Sequence, residues 1–508
     1  MLAEGEEVYN SIVAFNRLFI STKQGNIYCF GRELRRMPFR YSKSNEKLPE
    51  PSDKDVELAK KLIQESPRPR GWALISEGAS DGLIDAILQN SELNCIVLEN
   101  DKTQLRQKRD KYSAAGIYGE RITVLPGKLA DLKYPEYVST LVIVPDPKAA
   151  GFKTNTADLE KIYKLVKPYT GRAWVNFPAK EIRKSIPKRF FASITKIFKK
   201  DSQQADHRLA DFQPEDGKLD LYLPGGGVLL SRTKALPGAG EWTHQHANPA
   251  QSVISQDTRV RLPLAPIWFG TVTNDYVLPR HHSGPRPQVA GGVLCILGVE
   301  TISARCVYTG QILWVKDFPG IGHPFTSLEL EKKWDAGESV YMINDPGTTY
   351  IGSPCVTMAD GIYLRYKSEV YRLNPCDGKV LGKWALPSLT KDEQENDPPD
   401  WGHISVQGKY LIATVDPYIF MDGKLGKLAN GWDGSASRRI VVLDRYTGEV
   451  LWHRDADIGF RHNAICSTKG ILYVNDLLSA KALDMALRRG LPIKERPKLY
   501  ALDLSNGK

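Results

Sequence analysis

A turn of small and acidic residues, placed between a strand pattern and a helix pattern, is the part of this sequence best suited to binding a nucleotide-like ligand. The strand pattern covers residues 71–76 and the helix pattern residues 83–89. This arrangement lets backbone amides and the N-terminus of a helix approach a ligand. Another acidic residue ends the next strand pattern, seventeen positions beyond the turn, where it can accept hydrogen bonds from two ribose hydroxyls. The sequence therefore predicts a cofactor site formed by Glu77, Gly78, Ser80, Asp81, Gly82 and Glu99.

Strand and helix patterns alternate over residues 52–235, which we interpret as one domain. An amphipathic helix is predicted from residue 53, with Ser52 or Asp53 as its N-cap, and a charged helix at residues 101–115. Short apolar strands are predicted at residues 71–76, 94–98, 122–125 and 139–144. Strands that alternate with helices over this length favour a Rossmann-like α/β domain with a doubly wound parallel sheet.

This domain resembles the class I S-adenosylmethionine-dependent methyltransferases. The resemblance rests on the turn at residues 77–82, on Glu99 and on residues 165–173, which are similar to the family's turn before a late strand. It implies S-adenosylmethionine as cofactor. It also implies that Gly78 and Gly82 lie beside the methionine moiety and that Glu99 holds the ribose.

Three departures from that family pattern argue against a working transferase. Ala79 and Ser80 stand where a further glycine is usual, and residues 145–147 read Pro-Asp-Pro in place of the motif that grips a target nitrogen. Lys128 stands where an adenine-facing Asp is expected, and it should block the pocket unless its side chain turns outward. Two alternatives remain open: a Rossmann-like scaffold with a weakened pocket, and an active methyltransferase.

A short turn that ends in Gly and leads into an apolar strand occurs four times in the second half of the chain. The turn glycines are Gly310, Gly378, Gly448 and Gly507. One such hairpin cannot bury its apolar face alone, so the copies must pack radially or in a stack. We interpret residues 236–508 as an incomplete β-propeller, residues 1–31 as a strand pair of a further blade, and residues 32–51 as a linker. Because the last copy lacks its final strand, we expect the chain to be a fragment of a longer protein.

Four histidines are candidate metal ligands. Two of them are two positions apart and would share one face of a strand, and the other two lie in a Gly/Pro-containing loop. No third ligand type is fixed nearby, so the favoured interpretation is that they are hydrogen-bonded structural residues. These histidines are His244, His246, His281 and His282.

The repeats, together with the segments around His244 and His281, resemble the quinoprotein-like (PQQ-like) β-propeller family. The whole arrangement is similar to large bacterial proteins, frequent in planctomycetes, in which a methyltransferase-like domain is inserted between propeller segments. The resemblance implies that Trp314 and Trp452 dock one blade against the next. Pyrroloquinoline quinone is not expected, because the chain has neither adjacent cysteines nor a recognisable metal set.

Composition places few limits on function. The 508-residue chain has a net charge of +10, seven cysteines without a metal-binding spacing, and no run of eighteen apolar residues. No basic patch carries interleaved aromatic residues, so nucleic acid is not expected as a partner. The leading hypothesis is a binding or scaffolding propeller of the bacterial cell envelope with a protein or polysaccharide partner. The alternatives are a methyltransferase whose propeller selects the target, and a quinone- or metal-dependent oxidoreductase.

Overall fold

The computed structural model describes most of the chain in a series of segments. These are residues 2–31, 46–64, 70–153, 155–176, 214–220, 227–265, 286–298, 300–319, 321, 354–389, 399–421, 424–426, 435–478, 483–484, 487–488, 490, 492 and 496–508. Among them, no helix combines the length and the apolar character that a bilayer-spanning helix needs.

The N-terminal segment forms a three-stranded antiparallel meander of β1 (Val8–Ala14), β2 (Arg17–Thr22) and β3 (Ile27–Phe30). The sequence predicted a strand pair here, and the third strand is a correction. Phe15 and Asn16 both have positive φ, 51° and 56°, which is the geometry of a two-residue hairpin turn between β1 and β2. Such a turn divides the apolar stretch into two strands.

The second unit alternates helices and strands, as predicted. Its elements are α1 (Asp53–Gln64), β4 (Arg70–Ile75), α2 (Asp81–Asn90), β5 (Glu92–Glu99), α3 (Lys102–Ala114), β6 (Ile122–Pro126), β7 (Ser139–Val144), α4 (Thr156–Leu165), β8 (Arg172–Val175), β9 (Gly217–Asp220) and β10 (Val228–Arg232).

These strands form one sheet in the order β6-β5-β4-β7-β8-β10-β9. The first five are parallel, and β10 runs antiparallel to both β8 and β9. One apolar core joins the sheet to α1, α2 and α3, and a second core joins the opposite face to α4. The predicted doubly wound sheet is therefore confirmed. The strand order reverses between β4 and β7, and ligands of this architecture bind where such a reversal lies at the carboxyl ends of the strands.

The strands that the structure describes after residue 286 all pair antiparallel. Two four-stranded meanders come first: β11 (Gln288–Ala290), β12 (Val293–Leu297), β13 (Thr301–Cys306) and β14 (Ile312–Asp317), then β15 (Cys355–Met358), β16 (Gly361–Tyr366), β17 (Glu369–Leu373) and β18 (Val380–Ala385). A larger sheet follows: β19 (Trp401–Gln407), β20 (Tyr410–Met421), β21 (Lys424–Gly426), β22 (Ser435–Asp444), β23 (Val450–Thr468), β24 (Ile471–Asp476) and β25 (Lys498–Asp503).

The long strand β23 divides this last sheet into two meanders. Its first part pairs with β22 and its last part with β24. We call the four successive meanders sheets I to IV: β11–β14, β15–β18, β19–β23 and the end of β23 to β25.

A short segment at residues 242–249 hydrogen-bonds to one strand in each of sheets I to IV. Trp242 and Val289 of β11 exchange two backbone hydrogen bonds of 2.9 and 2.8 Å. The N–H of Thr357 in β15 donates to Thr243 O at 3.0 Å, and the N–H of Ser467 in β23 donates to Pro249 O at 2.8 Å. In sheet III, the N–H of Val406 donates to His244 Nε2 at 3.1 Å. All four sheets therefore contact this one segment, whereas a closed ring of blades stays a prediction.

Three of the four repeated turn glycines, Gly378, Gly448 and Gly507, lie against a tryptophan of the preceding sheet. A Cβ built on Gly378 would lie 2.8 Å from the ring of Trp314, and one on Gly507 would lie 2.8 Å from the ring of Trp452. Trp314 Nε1 also donates to Pro375 O at 2.9 Å, and Trp452 Nε1 donates to Leu504 O at 2.8 Å. These tryptophans therefore dock one sheet onto the next, as the resemblance implied.

Candidate functional site

The turn after β4 lies at the strand-order reversal and touches the segment after β7. Gly78 has a φ of +87°, and a Cβ built there would lie 2.9 Å from Asp146 Cβ. Asp146 in turn accepts the backbone N–H groups of Lys148 and Ala149, both at 3.0 Å. Only a glycine allows this turn to pass so close to the neighbouring segment. Local packing therefore accounts for Gly78, and its predicted place beside a cofactor stays a prediction.

Ser80 and Gly82 are engaged by neighbouring elements. Ser80 is the N-cap of α2 and accepts the N–H of Leu83 at 3.1 Å, while its hydroxyl lies 3.1 Å from Asp55 Oδ1. A Cβ on Gly82 would lie 2.5 Å from Asp55 Oδ2 of α1. The structure therefore places Gly82 beside α1, and its predicted contact with a cofactor stays a prediction.

Glu77 is a buried carboxylate, only 6% exposed. Neither of its carboxylate oxygens has a hydrogen-bond partner within the described part of the chain. Burial raises the pKa of Glu77 and the charge of Glu99 adds to the rise, while the charge of Lys128 opposes it. The carboxylate therefore lies among the ends of β4, β5 and β6 without a bonded cation.

Glu99, at the end of β5, is also buried but fully engaged. Its Oε1 accepts the backbone N–H of Asp101 at 3.1 Å, and its Oε2 accepts a hydrogen bond from Lys108 Nζ at 3.1 Å. Lys108 Nζ also lies 3.3 Å from Oδ1 of Asp81. Lys108 of α3 thus bridges two of the three predicted acidic site residues, Glu99 and Asp81.

A second lysine continues this network away from the turn. Lys111 Nζ lies 2.7 Å from Asp85 Oδ2 and 3.3 Å from Asp81 Oδ2, and the Tyr112 hydroxyl donates to Asp85 Oδ1 at 3.1 Å. Burial raises the pKa of Asp85, while Lys111 and Tyr112 oppose the rise. Sequence reasoning missed both lysines, although Leu105, Lys108 and Tyr112 are spaced as one face of α3.

Lys128 does not fill the site. Its side chain is exposed, and its stem passes a Cβ position built on Gly151 at 3.9 Å. Lys128 would block the predicted pocket only if its side chain turned inward. The structure shows the side chain turned outward.

Of the four candidate histidines, the structure describes two, and both lie within hydrogen-bond distance of other protein groups. His244 is buried, and because Nε2 accepts the Val406 N–H, Nδ1 carries the proton and donates to Thr243 Oγ1 at 2.7 Å. His246 Nδ1 lies 3.3 Å from Arg286 Nη1. His281 and His282 lie outside the described residues. Within the described ranges, no group of three or more His, Cys, Asp or Glu could hold a metal ion.

Two further buried histidines, which sequence reasoning missed, face each other in sheets III and IV. The rings of His403 and His462 have centroids 6.4 Å apart. His462 Nε2 lies 2.7 Å from Ser437 Oγ, which in turn donates to Thr414 Oγ1 at 2.9 Å. The two rings come from strands 59 residues apart, so no local pattern could have paired them.

No family model and no curated protein matches the chain. Solved structures match part of it. A candidate S-adenosyl-L-methionine-dependent methyltransferase from Methanococcus maripaludis is 17% identical, with 36% of this chain and 86% of that chain covered and a TM-score of 0.26.

A candidate O-methyltransferase from Klebsiella pneumoniae is 13% identical, with 36% of this chain and 81% of that chain covered and a TM-score of 0.25. A geranyl diphosphate methyltransferase in complex with S-adenosylmethionine is 8% identical, with 35% and 85% covered and a TM-score of 0.24.

Proposed function

We propose that the doubly wound domain binds S-adenosylmethionine at the strand-order reversal and acts as a methyltransferase domain. The observation that carries the proposal is Glu77, a buried carboxylate neither of whose oxygens is hydrogen-bonded within the described part of the chain. Burying an unpaired charge costs free energy, and a cation that binds beside the charge offsets much of that cost. The α-ammonium group and the sulfonium of S-adenosylmethionine are such cations.

The neighbouring residues fit the same ligand. Gly78 lets the turn pass close to Asp146 at the strand ends. Glu99 lies at the end of the adjacent strand β5, where a carboxylate can accept a ribose diol. When bound, the cofactor would supply an electrophilic methyl group. Glu77 would hold its cationic end and Glu99 its ribose.

Sheets I to IV are proposed as the part that positions or recognises the methyl acceptor. The tryptophan contacts and the segment 242–249 support this role, because they hold the four sheets together as a scaffold. A rigid β scaffold is suited to presenting recognition loops. The expected cell-envelope location and the protein or polysaccharide partner are part of this proposal. The oxidoreductase alternative gains no support from the described histidines.

Calorimetric titration of the whole chain with S-adenosylmethionine tests the proposal. We expect saturable binding by the wild-type chain, weakened about tenfold or more in Glu77→Gln because a charge-assisted contact is lost. Glu57→Gln is the matched control, because Glu57 is exposed on α1 and pairs only with Lys61 among the described residues. Absence of heat and of any thermal shift at millimolar ligand would overturn the proposal.

A further inference from the structure

Lys108 forms an ion pair with Glu99, the acid that would hold a ribose. Its ammonium also reaches Asp81 in the turn after β4. Its ammonium lies 3.1 Å from Glu99 Oε2 and 3.3 Å from Asp81 Oδ1. Only 8% of the Lys108 side chain and 10% of the Glu99 side chain are exposed. The other oxygen of Glu99 accepts the N–H of Asp101. Both oxygens of the carboxylate are therefore bonded within the protein.

We propose that Lys108 is an affinity-determining lock: it holds Glu99 away from a ligand's diol and must move before both hydroxyls can bind. This inference rests on the proposed function, because it is that function which brings a diol to Glu99. A carboxylate bonded to an ammonium gains little when neutral hydroxyls replace it, since charge-assisted bonds are the stronger ones. The binding-competent arrangement is then a minor state, and the apparent affinity is reduced by its population.

The structure gives Lys108 a place to go. Asp81 is nearly half exposed, with 48% of its side chain accessible, and it already contacts the Lys108 ammonium. The lysine can keep this partner while it releases Glu99. Lys111 also contacts Asp81 but its other partner is Asp85, so it does not compete for Glu99. Of the two neighbouring lysines on α3, only Lys108 is therefore expected to control the diol site.

Lys108→Met tests the lock, because it keeps most of the unbranched apolar side chain and removes the ammonium. The probes are S-adenosylhomocysteine, adenosine and 2′,3′-dideoxyadenosine, titrated by calorimetry into the whole chain. We expect about tenfold tighter binding of both diol ligands than in the wild type, which corresponds to one lost competing ion pair. Dideoxyadenosine should show no gain, and Lys111→Met should show none with any probe.

The outcomes separate the lock from the cofactor site. If wild type and Lys108→Met bind the diol ligands equally, the lock is wrong and the cofactor site stands. An equal gain in affinity for dideoxyadenosine also overturns the lock, because the gain then does not depend on the diol. If neither chain binds any probe, both proposals are wrong.

A measurement on the wild-type chain covers the case in which Lys108→Met does not fold. The rate of reductive methylation of Lys108 is followed by mass spectrometry with and without saturating S-adenosylhomocysteine. Release of Glu99 should expose the ammonium and raise the rate several-fold, with Lys111 as the internal reference. An unchanged rate at saturation would overturn the lock.

Discussion

The indole ring of Trp384 in β18 lies directly on Gly448, the turn glycine of the next sheet. A Cβ built on Gly448 would be 1.5 Å from Cδ1 of that ring, closer than the 2.8 Å found for the equivalent pairs Trp314 with Gly378 and Trp452 with Gly507. Gly448 also has a φ of +77°. Two independent requirements, backbone conformation and space for the ring, therefore fix this glycine.

Gly448→Ala should lower the free energy of unfolding by about 3 kcal/mol, because left-handed strain of about 1 kcal/mol adds to overpacking of about 2 kcal/mol. Gly470→Ala separates the two effects, since Gly470 has a similar φ of +83° but no atom within 4 Å of its Cβ position. This control should lose only the strain energy. Urea denaturation followed by fluorescence measures both variants, and equal losses would show that the ring contact is not the cause.

Asp216→Ala should unfold the edge of the doubly wound sheet. Asp216 forms a buried ion pair with Arg232 of β10, and its Oδ1 accepts a hydrogen bond from the Tyr163 hydroxyl of α4 at 2.8 Å. Removing one partner leaves a buried unpaired charge, which costs about 3 to 5 kcal/mol. Asp484→Ala, which breaks an exposed pair with Arg488, should cost less than about 0.5 kcal/mol in the same denaturation experiment. Comparable losses in the two variants would contradict the role of burial.

The elements of the doubly wound domain could be predicted because their apolar periods are local. The predicted helix at residues 83–89 lies inside α2, and the predicted strand at 94–98 lies inside β5. The antiparallel pair β9 and β10 at the sheet edge could not be predicted, because which strands become neighbours depends on contacts far apart in sequence. The turn between β1 and β2 was missed because Phe15 is not a typical turn residue.

The sequence predicted the acidic residues of the candidate site but not Lys108. Glu77 and Glu99 end strands, and strand ends can be located from the sequence. Lys108 belongs to a strongly polar helix, in which a lysine is normally solvated. Its burial follows from the packing of α3 against Asp81 of α2, a contact that the sequence of α3 alone does not specify.

The rate of thiol labelling should differ among the seven cysteines according to their burial. Burial raises the pKa of Cys95 to about 12, and contact with Cys295 together with burial raises the pKa of Cys355 well above its usual value. Because the thiolate is the reactive form, these thiols should stay unlabelled by maleimide at pH 8 until the chain unfolds. Cys29 is exposed and should react first, and Cys29→Ser should remove that fast phase. Rapid labelling of Cys95 in the folded chain would contradict the structure.

Acid should destabilise sheets I to IV through their buried histidines. Burial, with a contribution from His403, lowers the pKa of His244 to about 3, and burial followed by the charge of Arg365 lowers that of His403 to about 4. Burial also lowers the pKa of His462 well below its usual value, and His403 and Arg365 add to this. These groups take up protons when the chain unfolds but not while it is folded. Their contribution to stability is therefore complete above about pH 6.5 and is lost as the pH falls towards 4.

The slope of the unfolding free energy against pH measures how many of these histidines take up a proton on unfolding. Between about pH 6 and 4.5, each should contribute up to about 1.4 kcal/mol per pH unit, so His244, His403 and His462 together should approach about 4 kcal/mol per unit. His462→Gln should reduce the slope of the urea-derived free energy by about a third, whatever its effect on stability at pH 8. His453→Gln is the control, because His453 is exposed on β23. A slope that His462→Gln leaves unchanged would mean that His462 is already protonated in the folded chain, which its burial argues against.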